Sequence, residues 1–304
     1  MSQNAPASVP GTGREFFGHP RGLATLFMTE FFERFTYYGM RALLVLFLVA
    51  ATQAANPGFG MDRETAGAVY GLYTGGVYLG CVPGGWIADR LIGQRTAVFW
   101  GGIFIAIGNF ILAIPGSPPV FFLGLTVIVI GVGLLKPNIS AIVGALYEGQ
   151  SGARRDAGFS MFYMGINLGA FVAPLIAGTI GETWNWRGGF FCAGLAMLIG
   201  VAQYKLSEKH LGNAGMLATP ISAAERSRGW KMVGAGVAGV ALLGLLIASG
   251  AIPVTVTVLA QAFGTAMIVL AFLFFGYILL FARLEGGERQ RIRGRHRQAA
   301  GRVN

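Results

Sequence analysis

Long apolar runs separated by short polar turns recur along this chain. Eight stretches, at about 22–51, 65–88, 96–114, 119–146, 157–180, 188–206, 230–250 and 254–282, each hold the roughly 20 mostly apolar residues that a helix needs to cross a hydrocarbon layer about 30 Å thick. The first six follow one another through short connections, such as Gly116-Ser117-Pro118-Pro119 and Trp184-Asn185-Trp186. A longer polar segment, about 207–229, then interrupts the pattern with Ser, Glu, Lys and Arg. The last two runs join near Pro253 and carry no charge between Lys231 and Arg283. The pattern predicts a polar tail (1–21), a six-helix bundle (22–206), a linker (207–229), a two-helix appendage (230–282) and a basic tail (283–304).

Composition agrees with an all-α membrane protein. Hydrophobic residues are 54% of the 304 and charged residues only 12%, with a mean hydropathy of +0.60. Glycine, at 48 residues, suits helices that pack backbone to backbone in lipid. The first 20 residues lack an apolar core, so they do not read as a cleaved signal peptide. Cys81 and Cys192 fall inside predicted helices and form no disulfide framework.

A net charge of +10 raises nucleic acid as a partner, but its placement argues against that. Of 23 basic residues, 18 fall in the tails and alternate connections, Arg63 and Arg187 fall on the opposite side, and Arg34, Arg41 and Lys136 fall inside helices. That asymmetry follows the positive-inside rule and predicts a multi-pass protein of the cell inner membrane with both termini cytoplasmic. The lipid bilayer is therefore one expected partner.

The first helix carries Glu30, Glu33, Arg34, Tyr37, Tyr38 and Arg41. At 100° per residue these fall within an arc of roughly 140°, with Phe31, Phe32 and Phe35 off it. A charge at mid-bilayer costs about 2.5–3.5 kcal/mol on insertion scales, so this face needs a wet cavity or partners. A cluster that only ties helices together is the alternative.

Lys136 is a lone cation in the fourth helix, followed by Pro137, which removes a backbone hydrogen bond. It is a natural partner for Glu30 or Glu33, with protonation deciding whether the pair forms; snorkelling to the interface is the alternative. Asn167 places an amide in the fifth helix, suited to a substrate terminus or to an interhelical hydrogen bond. The run Gly85-Trp86-Ile87-Ala88-Asp89-Arg90-Leu91-Ile92-Gly93-Gln94-Arg95 reads as a tight turn with small residues for close packing.

That run resembles the loop signature of major facilitator transporters. More specifically, Glu30-Phe31-Phe32-Glu33-Arg34-Phe35-Thr36-Tyr37-Tyr38-Gly39 resembles the E-x-x-E-R-F-x-Y-Y-G signature of proton-dependent oligopeptide transporters. Gly133–Ser140 and Arg155–Gly169 resemble two further stretches of that family. The resemblance implies a major facilitator amino-terminal six-helix bundle plus two extra transmembrane helices, and proton-coupled symport of di- and tripeptides. It implies proton coupling at Glu30, Glu33, Arg34 and Lys136. Arg41, Tyr37, Tyr38, Tyr78 and Asn167 would contact the peptide, and Asp89, Arg90 and Arg95 would form a cytoplasmic gate. Protons are the coupling ion, with no cofactor and no metal.

Family members continue into a second six-helix bundle, so a product truncated after the first bundle and two linker helices is expected, with a missing carboxyl-terminal bundle as a further partner. The alternatives are an inactive or partner-requiring half, or transport of another small solute such as nitrate. No His-x-x-x-His pair, Gly-x-Ser-x-Gly elbow or Cys/His cluster points to an enzyme.

Overall fold

The computed structural model describes residues 15–217 and 221–281. The basic tail, most of the amino-terminal tail and residues 218–220 of the linker lie outside them. The described chain is helical, in the order α1 (Arg21–Val49), α2 (Arg63–Ile87), α3 (Gln94–Ala113), α4 (Pro118–Leu146), α5 (Gly152–Ala173), α6 (Trp186–Ser207), α7 (Ala223–Ala248) and α8 (Val256–Phe281).

Six of these, α3 to α8, are long and apolar enough to span a membrane. Helices α1 and α2 are as long, at 29 and 25 residues, but are not apolar enough along their length to join that set. The reason lies in their side chains: α1 carries the charged face, and α2 is rich in Gly and Tyr.

Local chemistry fixes the ends and bends. The Asp62 carboxylate caps α2 by accepting from the Thr65 backbone N–H at 2.8 Å. After Ile87 the helix widens into a π-turn, Ala88–Ile92, which ends at Gly93, whose φ of 82° lies in the left-handed region open to glycine. Pro174 withholds a backbone donor, and α5 likewise widens over Pro174–Gly178 before its last turn, Thr179–Thr183. Ser222 and Glu225 form a reciprocal capping box, so α7 begins at Ala223, inside the segment read as a linker from sequence.

In the bundle, α1 packs against α5 and α6, α2 against α4, and α3 against α4 and α6. The core runs through Leu23, Met40, Leu44, Phe47, Phe121, Ile128, Leu135, Phe190 and Met197, all buried. Near the end of α1, the Phe47 ring lies tilted against Phe59 and Phe121 and edge-on to Phe190, at centroid distances of 4.7, 4.9 and 5.6 Å. Backbones touch where α2 meets α4: a Cβ on Gly84 would stand 2.1 Å from the Gly133 carbonyl oxygen. The chain divides into two compact units between Thr257 and Val258. The apolar windows of α7 and α8 contain no buried residue.

Candidate functional site

The bundle folds inward the polar face that the sequence places on α1. Glu30, Glu33 and Arg34 are 3%, 0% and 5% exposed. Arg34 Nε lies 2.8 Å from Glu30 Oε1, and the same nitrogen pairs with Glu33. Both contacts are ion pairs without hydrogen-bond geometry: Glu30 Oε2, both Glu33 oxygens and Arg34 Nη2 are buried with no hydrogen-bond partner. Two carboxylates thus share one guanidinium, a set that a single proton brings to charge balance. Gly169 of α5 makes room for this, since a Cβ there would lie 2.9 Å from the Arg34 Cβ and 2.5 Å from the Phe31 carbonyl oxygen.

The same face continues upward in tyrosines. Arg34 lies over the Tyr37 ring at 5.4 Å. Tyr37 meets Tyr38 edge-on at 5.2 Å and lies nearly parallel to Tyr73 of α2 at 6.5 Å. One turn on, Arg41 donates from Nε to the Tyr70 hydroxyl and lies 5.3 Å from that ring. Tyr70 and Tyr73 escaped the sequence reading, although their spacing from Tyr78 along a glycine-rich helix was a usable signal.

Lys136 is half-buried on α4, and its charge reaches both Glu30 and Glu33. It forms no ion pair with either. Its Nζ stands 4.3 Å from the Tyr78 ring centroid instead. Tyr78 is 56% exposed. Asn167 is exposed on α5 and, among the described residues, makes no interhelical hydrogen bond. Tyr37, Tyr38, Arg41 and Tyr78 therefore gather around α1, α2 and α4, while Asn167 lies on α5, which packs against α1.

The turn after α2 behaves differently. Asp89 accepts from Gln94 Nε2 at 3.1 Å, and Arg90 is exposed. Arg95 points away from both. Its Nε donates to the Ala214 carbonyl at 2.6 Å and its Nη2 to the Gly212 carbonyl, while its backbone N–H donates to Gly215 at 3.1 Å. Arg95 thus clasps the chain that follows α6. At the α4–α5 turn, Tyr147 pairs with His19 at 2.8 Å, and burial pushes its hydroxyl up to about 12. A cavity of about 570 Å³ opens there, lined by Ser140, Gly144, Tyr147, Glu148, Arg155 and Phe159. Among the described residues no group of three or more His, Cys, Asp or Glu is placed to hold a metal.

Residues 95–226 match the POT family. Over 209 residues the chain is 52% identical to the uncharacterized transporter YclF of Bacillus subtilis, covering 68% of this chain and 42% of that one. Over 193 residues it is 48% identical to a di-/tripeptide transporter of Lactococcus lactis, covering 64% and 39%. The crystal structure of a peptide transporter POT in complex with sulfate superposes with a TM-score of 0.80 at 41% identity, over 92% of this chain and 56% of that one. The chain spans less than half the length of these two relatives and a little over half of the solved one. Its architecture is that of the major facilitator six-helix bundle with two added helices, in a multi-pass membrane protein.

Proposed function

We propose that this chain belongs to the POT family and carries out proton-coupled symport of di- and tripeptides across the inner membrane, with both termini cytoplasmic. The observation that carries the reading is the buried Glu30–Glu33–Arg34 cluster. Two carboxylates in a water-poor site around one guanidinium form a place where one proton changes the net charge. In this reading Glu30, Glu33, Arg34 and Lys136 handle the proton, and the cation–aromatic row of Tyr37, Tyr38, Arg41 and Tyr78, with Asn167, receives the peptide. Arg41 offers its guanidinium to the peptide carboxylate, and Asn167 offers a donor and an acceptor to its backbone. Asp89 and Arg90 belong to the cytoplasmic gate, with Arg95 anchoring that turn. No metal or organic cofactor takes part, and the relatives' being transporters supports a carrier rather than an enzyme.

A second reading, a half that needs a partner, is favoured by one observation: Tyr78 and Asn167 stand exposed on the bundle's surface. Alternating access rocks one bundle against another around a central site. Counterflow of labelled dialanine in liposomes tests both readings, with excess dipeptide or excess nitrate as competitor. Inhibition by dipeptide alone supports peptide transport, and inhibition by nitrate alone overturns it. Exchange that appears only when a separately expressed carboxyl-terminal bundle of a relative is added selects the second reading.

A further inference from the structure

Among the described residues Phe17 is the one non-glycine at positive φ, 49°, and Gly18 beside it follows at 78°. Together they make the pattern of a type I′ turn, whose first central place suits Asn, Asp or Gly far better than phenylalanine. On either side, Phe16 and His19 exchange backbone hydrogen bonds at 2.9 and 3.0 Å. The Phe17 ring is 80% exposed and meets the edge of Phe16 at 5.0 Å, so little burial offsets its strained backbone. Such a turn persists where its neighbours grip it.

Three helices supply the grip. The Phe16 ring turns inward, 5.9 Å from Phe27 of α1. His19 Nδ1 pairs at 2.8 Å with the hydroxyl of Tyr147 at the end of α4, the rings edge-on at 5.9 Å. Arg154, at the start of α5, donates from Nη2 to the Gly18 carbonyl at 2.9 Å and lies 3.7 Å from Glu15 Oε1. The turn thus ties α1, α4 and α5 together. That tie matters because α5 packs mainly on α1, and α4 mainly on α2 and α3. Between α4 and α5 opens the cavity of about 570 Å³, with Ser140 and Gly144 on one wall and Arg155 and Phe159 on the other. Tyr147 joins the turn to the cavity: it bonds His19, lines the cavity and packs so closely on Gly158 of α5 that a Cβ there would overlap its ring.

We propose that residues 15–20 form a strained latch at the mouth of the α4–α5 cavity. Engaged, His19 and Arg154 hold the end of α4 and the start of α5 at their present spacing. Disengaged, Phe17 relaxes to negative φ, the Tyr147 ring leaves Gly158 and the mouth widens. The strain at Phe17 opposes the grip, which brings the engaged and released states close in free energy, as a switching element needs. Hydrogen bonds and one ion pair change, and no covalent bond does. The latch is independent of the transport reading, because it rests on contacts at the α4–α5 turn and not on the α1 cluster.

The test uses the full chain in lipid nanodiscs, read in two ways. Hydrogen exchange of the Phe16 and His19 amides reports the latch. Labelling of Gly144→Cys by a bulky maleimide reports the mouth, with Cys81→Ser and Cys192→Ser removing the native thiols. A Cβ at Gly144 fits, since it meets Arg155 and Phe159 at 3.8 and 4.0 Å. Tyr147→Phe keeps the ring and loses the hydroxyl, so it speeds amide exchange about tenfold and labelling about threefold. Arg154→Ala frees the turn from the α5 side and gives the same result without touching Tyr147. Phe17→Asn puts an Asn-Gly pair at the turn and slows both below wild type, a direction that loss of a merely structural contact would not give. Exchange alike in wild type, Tyr147→Phe and Arg154→Ala overturns the latch. Faster exchange with unchanged labelling overturns its hold on the cavity, and Phe17→Asn exchanging as fast as wild type overturns the stored strain.

Discussion

Arg34 follows Glu30 by one helical turn, and its Nε lies 2.8 Å from Glu30 Oε1 while Glu33 closes on the same nitrogen. Among the described residues the guanidinium is the only cation paired with two carboxylates that are nearly or wholly buried. Removing it leaves that charge without compensation, and breaking a buried pair costs about 3–5 kcal/mol. Arg34→Met therefore lowers thermal stability in detergent steeply. The triple change Arg34→Met, Glu30→Gln and Glu33→Gln recovers most of the loss, because the stranded charges go with it. Equal stability of Arg34→Met and wild type would show that the cluster is not the charge-coupled set described.

The contact between α2 and α4 separates glycines that touch from glycines that do not. Gly84→Ala drives a Cβ to within 2.1 Å of backbone and costs roughly 1–3 kcal/mol as the helices part. Gly67, on the same helix, has nothing within 4 Å of a new Cβ. Gly67→Ala should be neutral or stabilising by up to about 1 kcal/mol. Thermal unfolding of the two variants side by side checks the ranking.

Arg95 joins the turn after α2 to the chain after α6 through two carbonyls. Arg95→Ala frees residues 212–217 from that clasp at a cost of about 1 kcal/mol. Limited proteolysis should then nick this segment about fivefold faster. A point charge in Arg95→Lys cannot reproduce the two-pronged contact, so it restores little of the protection.

Asp62 caps α2, and the Thr65 backbone N–H holds its carboxyl below the ordinary carboxylate range. A carboxylate depressed in the folded state adds stability that is present above its unfolded value and lost as pH falls through its folded one. Melting curves taken through the acid range should show this loss in the wild type. In Asp62→Asn, which caps without titrating, the loss is smaller.

Much of the fold was legible in the apolar runs, because a bilayer-spanning helix needs length and hydropathy together. The charged face of α1 was legible for a related reason: 30, 33, 34, 37, 38 and 41 share one arc only if the segment is helical. The start of α7 was written in Ser222 and Glu225, but a polar segment reads as linker unless the capping pair is weighed. The ring beside Lys136 was not legible. Electrostatic attraction alone favours Glu30 or Glu33, whereas the register set by Gly80, Gly84 and Gly133 puts a ring under the ammonium. The clasp of Arg95 was hidden for a different reason: its acceptors are backbone carbonyls more than a hundred residues away, and carbonyls leave no mark in a sequence.

The central claim, that the α1 cluster couples a proton to peptide movement, is tested most directly by uptake of labelled dialanine into liposomes holding this chain. The uptake is measured with and without an inward proton gradient, in wild type and Glu33→Gln. The account predicts wild-type uptake that rises with the gradient and a Glu33→Gln variant, folded to the same helical content, that does not respond. Wild-type uptake indifferent to the gradient, or a full gradient response in Glu33→Gln, would contradict it.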